Sequence, residues 1–329
     1  MLFSSRLSNH QARKKYIFFF LQLGGVHQAV ARSSTASSCQ TTKMGVSSYP
    51  LLEKWQQSHD SWLLRFGLPT DQKFLGTDPR LPTCISVHHD SSLLDKDKDK
   101  DNNKVGLLKK SYSPISHPAT ERTFDLLVKA YTPVPGGGVG DAICNLRVGQ
   151  SLVGKLKAER LVHGSPLIGK RWNRIGLVAG GTGIAPLIQL ARIILDDPAD
   201  DTKVYLLSIN RNEHDILMRK EIDQLAKDHP NRLYVSYSLT GKNIRSDWEG
   251  YIGRGSVDMA KNALPPPSSS DGKTTMIFVC GTDGFRDMWA GPIARAPPLP
   301  DGSKGPKIQG DLLGVLKEAG YEASDVFKY

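Results

Sequence analysis

Cysteine is scarce and scattered in this chain. Cys39, Cys84, Cys144 and Cys280 are the only four in 329 residues, and no two stand at the spacing that zinc, haem or iron–sulfur ligation uses. A resident thiolate metal centre is therefore not expected, so any metal would belong to a partner. A chain this large also has no need of a disulfide scaffold. Long apolar runs are lacking too. The run over residues 16–23 (YIFFFLQL) is too short to cross a bilayer. Acid is missing from the start of the chain: residues 1–52 hold Arg6, Arg13, Lys14, Lys15, Arg32 and Lys43 but no Asp or Glu. Of the formal net charge of +10, +6 lies there and +4 is spread over the rest. No basic patch is interleaved with aromatics, so nucleic acid is not an expected partner. A mildly basic body suits an acidic protein partner.

The acid-free, Ser- and Arg-rich start reads as a leader over residues 1–50. Its composition suits a mitochondrial transit peptide. Its basic start, apolar middle and Ala29-Val30-Ala31 also suit a secretory signal, and a disordered extension ahead of a later start at Met44 is a third reading.

What the chain does have is concentrated in residues 174–186 (RIGLVAGGTGIAP). Ile175, Leu177, Val178 and Ala179 are apolar without alternation, the pattern of a parallel strand covered on both faces. Gly180, Gly181 and Gly183 permit a sharp turn with no side chain over it. Pro186 suits a first helical turn, and Ile184, Leu187, Ile188, Ala191, Ile194 and Leu195 follow mostly at helical spacing. Such a unit aims free N–H groups at the turn, where a diphosphate fits. It also serves as a purely structural connection, and its spacing is not G-x-G-x-x-G.

Upstream, residues 51–66 read as an amphipathic helix (Leu51, Leu52, Trp55, Trp62, Leu63, Phe66) stopped by Gly67 and Pro69. Strands are expected over 82–88, 105–114 and 123–131, with the alternating-charge run 95–101 as a solvated loop. Short strands and glycine turns from about 80 to 170 predict a β-barrel-like domain. From Trp172 the texture changes. Strands at 175–179, 204–209, 233–239 and 275–279 alternate with helices at 184–195, 215–227 and 257–263, which predicts a doubly wound parallel sheet. A helix over 310–320 and the segment 326–329 close the chain. The division is thus a leader, an all-β domain over 51–171 with its N-terminal helix, and an α/β domain over 172–329.

Gly180-Gly181-Thr182-Gly183-Ile184-Ala185-Pro186, followed far downstream by Val279-Cys280-Gly281-Thr282-Asp283-Gly284, resembles the nicotinamide half of the ferredoxin–NADP reductase superfamily. Within it the pair is most similar to the NADH–cytochrome b5 reductases. The resemblance implies a pyridine nucleotide over Gly180–Gly183, with Pro186 opening the helix and Thr182 offering a hydroxyl. It places Cys280 and Gly281 beside the nicotinamide, Cys280 as a positioning residue. A flavin is implied as well, because hydride donors move electrons in pairs and haem takes them singly. The family binds FAD through an Arg-x-Tyr-(Ser/Thr)-Pro strand, matched here by Lys110-Ser111-Tyr112-Ser113-Pro114. Tyr112 would pack on the isoalloxazine and Ser113 would hydrogen-bond it. Lys110 replaces the arginine on the flavin diphosphate, keeping the charge and losing the fork.

Lys129 and Tyr131 fall where the family has a basic and an aromatic residue on the next strand. Gly137, Gly138, Val139 and Gly140 resemble its phosphate-holding turn and helix, with Gly140 in place of a hydroxyl residue, and residues 157–160 replace its Gly-Pro turn. Tyr329, or Phe327, is a candidate shield for the flavin face; an ordinary buried strand end is the other reading. The implied enzyme is an FAD-binding barrel followed by an NAD-binding doubly wound domain. It would pass a hydride from NADH to FAD and single electrons to cytochrome b5 or a similar haem protein. NADPH stays open, since Arg211 suits a 2′-phosphate whereas Glu213 opposes one. Two rivals remain: a reductase feeding an iron–sulfur or oxygenase partner, and a nucleotide-binding regulatory protein that has lost flavin, suggested by Lys110 and Gly140. The resemblance tilts the leader toward the mitochondrion over the endoplasmic reticulum or secretory pathway, with membrane association through the leader as an option.

Overall fold

The structure is a computed structural model that describes residues 45–90, 107–130, 138–157, 161–162, 165–166, 171–268 and 271–329. The leader, the charged run 95–101, Tyr131, Gly137 and residues 158–160 lie outside the described residues.

Between residues 47 and 67 the buried apolar side chains alternate. Tyr49 and Leu51 on one segment and Leu64 and Phe66 on the next are buried, a period of two that makes strands. They form a hairpin, β1 (Ser47–Ser58) and β2 (Ser61–Gly67), with Leu51 opposite Phe66. This corrects the helix expected over 51–66. The apparent helical spacing came from residues on opposite faces: Leu51 is buried, whereas Leu52 and Trp55 are 41% and 39% exposed. Strands β3 (Ile85–Asp90), β4 (Leu107–Tyr112), β5 (Thr123–Lys129) and β6 (Ser151–Leu156) complete an antiparallel sheet in the order β4-β3-β6-β1-β2-β5. Helix α1 (Val139–Cys144) touches β3, β4 and β5. Its Val139, Ile143 and Cys144 join the core of Tyr49, Leu51, Phe66 and Phe124, which makes the sheet barrel-like. A small hairpin, β7 (Leu161–Val162) and β8 (Ser165–Pro166), follows.

The second half starts with β9 (Arg174–Gly180), buried through Ala179 as its unbroken apolar run requires. In chain order come α2 (Ile184–Asp196), β10 (Lys203–Asn210), α3 (Arg219–Asp228), β11 (Leu233–Leu239), β12 (Tyr251–Ile252), α4 (Val257–Ala263), β13 (Thr275–Cys280) and α5 (Asp283–Ala290). A two-residue-stranded hairpin, β14 (Ala294–Arg295) and β15 (Lys307–Ile308), precedes α6 (Gly314–Glu318) and β16 (Val326–Lys328). The sheet is parallel throughout, ordered β12-β11-β10-β9-β13-β16. Side chains of α2 and α3 pack one face, with Leu177 and Phe278, and those of α4, α5 and α6 the other, with Val178 and Ile277. A doubly wound domain therefore follows an all-β one, as expected.

Two helices begin later than their patterns suggested. Met218 adopts φ 57° and separates the short turn Glu213–Asp215 from α3. Leu313 is still extended where a helix over 310–320 was expected, so α6 spans only Gly314–Glu318.

Candidate functional site

The two glycine motifs meet at the carboxyl edge of the parallel sheet. β9 and β13 are neighbours, with Ala179 opposite Cys280. The chain then leaves β9 through a short turn, Gly181–Gly183, that runs straight into α2. Gly181 has φ +53°, which suits glycine. A Cβ at Gly183 would stand 2.1 Å from the Cys280 carbonyl oxygen and 2.7 Å from the Gly281 nitrogen. The backbones of the two motifs are therefore in contact, and any side chain at 183 would drive them apart. The Phe285 ring lies under the same place, 2.8 Å from a Cβ at Gly180 and 2.5 Å from one at Gly281. Above the turn the surface is open: nothing lies within 4 Å of a Cβ at Gly181. No side chain caps the turn or α2, and the Ile184 N–H already bonds the Gly181 and Thr182 carbonyls, so a diphosphate would meet the N–H groups of the turn itself. Thr182 and Cys280 are half-buried on either side, and Pro186 is buried. Next to them the Thr282 hydroxyl caps α5, accepting from the Phe285 N–H.

The flavin-side residues gather around α1. Tyr112 ends β4 and is half-buried, as is Ser113, and Pro114 is buried. Lys110 is exposed, its ammonium 5.8 Å from the Tyr112 ring centroid. Gly138 precedes α1 with no side-chain cap, and among the described residues nothing lies within 4 Å of a Cβ there. Val139 and Gly140 are buried behind it. A Cβ at Gly140 would stand 2.7 Å from the Lys129 carbonyl oxygen and 3.4 Å from the Tyr112 hydroxyl. Glycine at 140 is thus a packing requirement of this chain: α1 sits closer to β5 than a hydroxyl-bearing residue would allow. An uncapped helix start at Gly138 with Tyr112 near α1 fits a flavin diphosphate and ring.

Lys129 stands on β5 with its ammonium 2.7 Å from the Asp60 carboxylate. Asp60 also accepts from the Ser58 and Ser61 hydroxyls at 3.0 Å each. Burial alone would raise the Asp60 pKa, but the bonds from Lys129, Ser58 and Ser61 outweigh it and hold the carboxyl below its ordinary value. Lys129 thus pairs with the β1–β2 turn.

At the far end of the chain, Tyr329 packs against Phe278 and Phe327, with centroids 6.1 and 5.5 Å away, and its N–H donates to the Val279 carbonyl. Lys328 is buried beside it, its ammonium donating to the Pro292 and Asp311 carbonyls at 3.1 and 2.8 Å. Cys144 is a core thiol whose pKa burial pushes up to about 12. Glu213 is engaged by Arg219 at 2.7 Å, while Arg211 is exposed at the end of β10. Among the described residues no group of His, Cys, Asp or Glu could hold a metal ion.

The sequence reading missed the residues that join the halves. Gln189 and Arg192 on α2 both bond the segment that follows Tyr112-Ser113-Pro114. A signal was present: Gln189 is a polar residue between Ile188 and Leu190 on an otherwise apolar stretch.

Known proteins match this architecture in the same order. Residues 98–156 match the oxidoreductase FAD-binding domain and residues 177–290 the oxidoreductase NAD-binding domain. The NADH-cytochrome b5 reductase 2 of Neurospora crassa is 34% identical over 272 residues, covering 83% of this chain and 69% of that one. The chain belongs to the NADH-cytochrome b5 reductase family. The mouse (Mus musculus) NADH-cytochrome b5 reductase 2 is 34% identical over 250 residues, covering 70% of this chain and 83% of its own. Among solved structures, the cytochrome b5 reductase domain of Ulva prolifera nitrate reductase superposes with a TM-score of 0.63 at 26% identity, over 86% of this chain and 96% of that one. The chain is an FAD-dependent oxidoreductase.

Proposed function

We propose that this reductase takes electrons from NADH on a bound FAD and delivers them singly to a haem protein of the cytochrome b5 class. One observation carries the reading: the Gly183 backbone rests on the Cys280–Gly281 peptide. That contact sets the open, N–H-lined turn beside the half-buried Cys280, so a coenzyme whose diphosphate is bound at the turn can reach Cys280 with its nicotinamide. FAD, when bound, supplies the conversion from an electron pair to single electrons. The protein's share is placement. Gly138 and the start of α1 would receive the flavin diphosphate, with Lys110 as a nearby charge. Tyr112 and Ser113 would receive the ring. Thr182 offers a hydroxyl to the coenzyme, and Tyr329 packs beside Phe278. None of these residues has to act as a nucleophile or an acid–base pair. NADPH is the natural comparison donor, because Arg219 holds Glu213 while Arg211 is exposed. The acid-free start supports a mitochondrial address. Among the described residues no helix is long and apolar enough to cross a membrane.

The test is an absorption spectrum of the purified protein before and after NADH without oxygen, followed by addition of cytochrome b5. Visible flavin bands that bleach with NADH and return as cytochrome b5 is reduced are the expected result. A protein that stays colourless after incubation with FAD is a nucleotide-binding module instead. Bleaching by NADH with no reduction of cytochrome b5 points to an iron–sulfur or oxygenase partner.

A further inference from the structure

Helix α2 opens at the coenzyme turn, and Gln189 lies about 9 Å along its axis from there. Its side chain is fully buried, at 0% exposure. Every polar contact it makes crosses to the all-β domain. Its Oε1 accepts the Thr83 N–H at 2.9 Å, and its Nε2 donates to the Thr83 hydroxyl at 3.1 Å and the Ser116 carbonyl at 3.3 Å. Arg192, one turn on, donates to the Ile115 carbonyl. Ile115 and Ser116 directly continue Tyr112-Ser113-Pro114. They are not a loose loop: the Ile115 N–H bonds the Asp125 carbonyl at 2.9 Å, and the Ser116 hydroxyl accepts the Asp125 N–H at 3.1 Å, tying both to β5.

We propose that Gln189 is a positioning residue for the reaction: it fixes the distance and angle between the coenzyme turn and the flavin strand. This rests on the FAD–NADH function proposed above. The amide has only one satisfied orientation. Reversed, its NH2 would face the Thr83 N–H and its oxygen the Ser116 carbonyl, donor against donor and acceptor against acceptor. An amide held at three points in a buried interface resists both sliding and rotation, since leaving any buried partner unmade costs its full desolvation. Hydride transfer is steep in geometry, and a misplacement of about 1 Å can cost about a hundredfold in rate. Loosening this joint should therefore slow transfer while leaving each binding site intact.

The experiment uses FAD-loaded protein and follows anaerobic flavin bleaching by NADH in a stopped-flow instrument, per bound flavin, alongside the NADH dissociation constant and the melting temperature. Gln189→Met is expected to lower the limiting rate at saturating NADH by about tenfold or more, with the NADH dissociation constant within about twofold of wild type. Thr83→Val, which keeps the methyl group and removes the hydroxyl, should lower the rate by a smaller factor, and Thr83→Ser should restore it. A Gln189→Met protein that is less stable yet bleaches at the wild-type limiting rate overturns the proposal. Should Gln189→Met fail to fold, equal rates for Thr83→Val and Thr83→Ser overturn it. A wild-type protein that NADH does not bleach defeats the FAD–NADH function and this proposal together; normal wild-type bleaching with unchanged variants defeats this proposal alone.

Discussion

The two halves of this reductase build their candidate cofactor sites by different means. In the nicotinamide half the site is backbone against backbone: Gly183 rests on the Cys280–Gly281 peptide, with the Phe285 ring beneath Gly180 and Gly281. A side chain at Gly183 would push the two motifs apart. In the flavin half the site is side chains around a short helix, and several differ from the family's pattern. Lys110 replaces an arginine, and Lys129 is drawn off to Asp60. Gly140 lets α1 settle onto the Lys129 carbonyl. A site of backbone contacts keeps its sequence because geometry dictates it. A site of side chains can change residues and compensate by repacking.

The largest expected effect is at Gly183. Gly183→Ala places a methyl group at a point 2.1 Å from the Cys280 backbone oxygen at the end of β13. Overpacking of this kind costs roughly 1–3 kcal/mol, which urea denaturation would read. Coenzyme-driven flavin bleaching should fall further than that loss suggests, because the two motifs are forced apart. Near-normal turnover would show that the nicotinamide edge is as adaptable as the flavin side. Next is Gly140→Ser, which restores the family's hydroxyl. If divergence had merely lost a ligand, the serine should tighten FAD. The structure predicts the opposite, because its Cβ meets the Lys129 carbonyl at 2.7 Å. FAD affinity should weaken by roughly 1–2 kcal/mol, measured by flavin retention on dilution.

The same contrast explains what the sequence could tell. The strand–turn–helix at 174–196 and the strands at 203–210, 233–239 and 275–280 follow from apolar and β-branched or aromatic runs and glycine placement, which are local signals. The hairpin of β1 and β2 was hidden because Leu51, Leu52, Trp55, Trp62, Leu63 and Phe66 satisfy a helical period by chance. The alternation that mattered, Tyr49 with Leu51 and Leu64 with Phe66, is spread over two strands and shows only once they pair. Lys129 was read by its family position, yet its partner Asp60 lies on a turn that a helix over 51–66 would have erased. Gln189 was visible as a polar residue among apolar ones. Its purpose was not, since Thr83 and Ser116 are distant in the chain.

The smallest expected effect lies in that turn and marks how far the flavin half depends on ionic contacts. The native Asp60 carboxyl titrates below its ordinary value, so its stabilising contribution is fully present above the unfolded carboxyl's pKa of about 4. It fades as pH falls through that value toward the lower native one. Asp60 is mostly screened from water, but Lys129 is about a third exposed, so the contribution should stay below about 1 kcal/mol. Comparing wild type with Asp60→Asn between neutral pH and the acid limb should show the difference at neutrality and its disappearance in acid. A gap that instead persists at low pH would assign the turn's stability to the Ser58 and Ser61 hydrogen bonds and remove charge from the account. Should the gap grow on the acid side, Lys129 would be stabilising something other than Asp60.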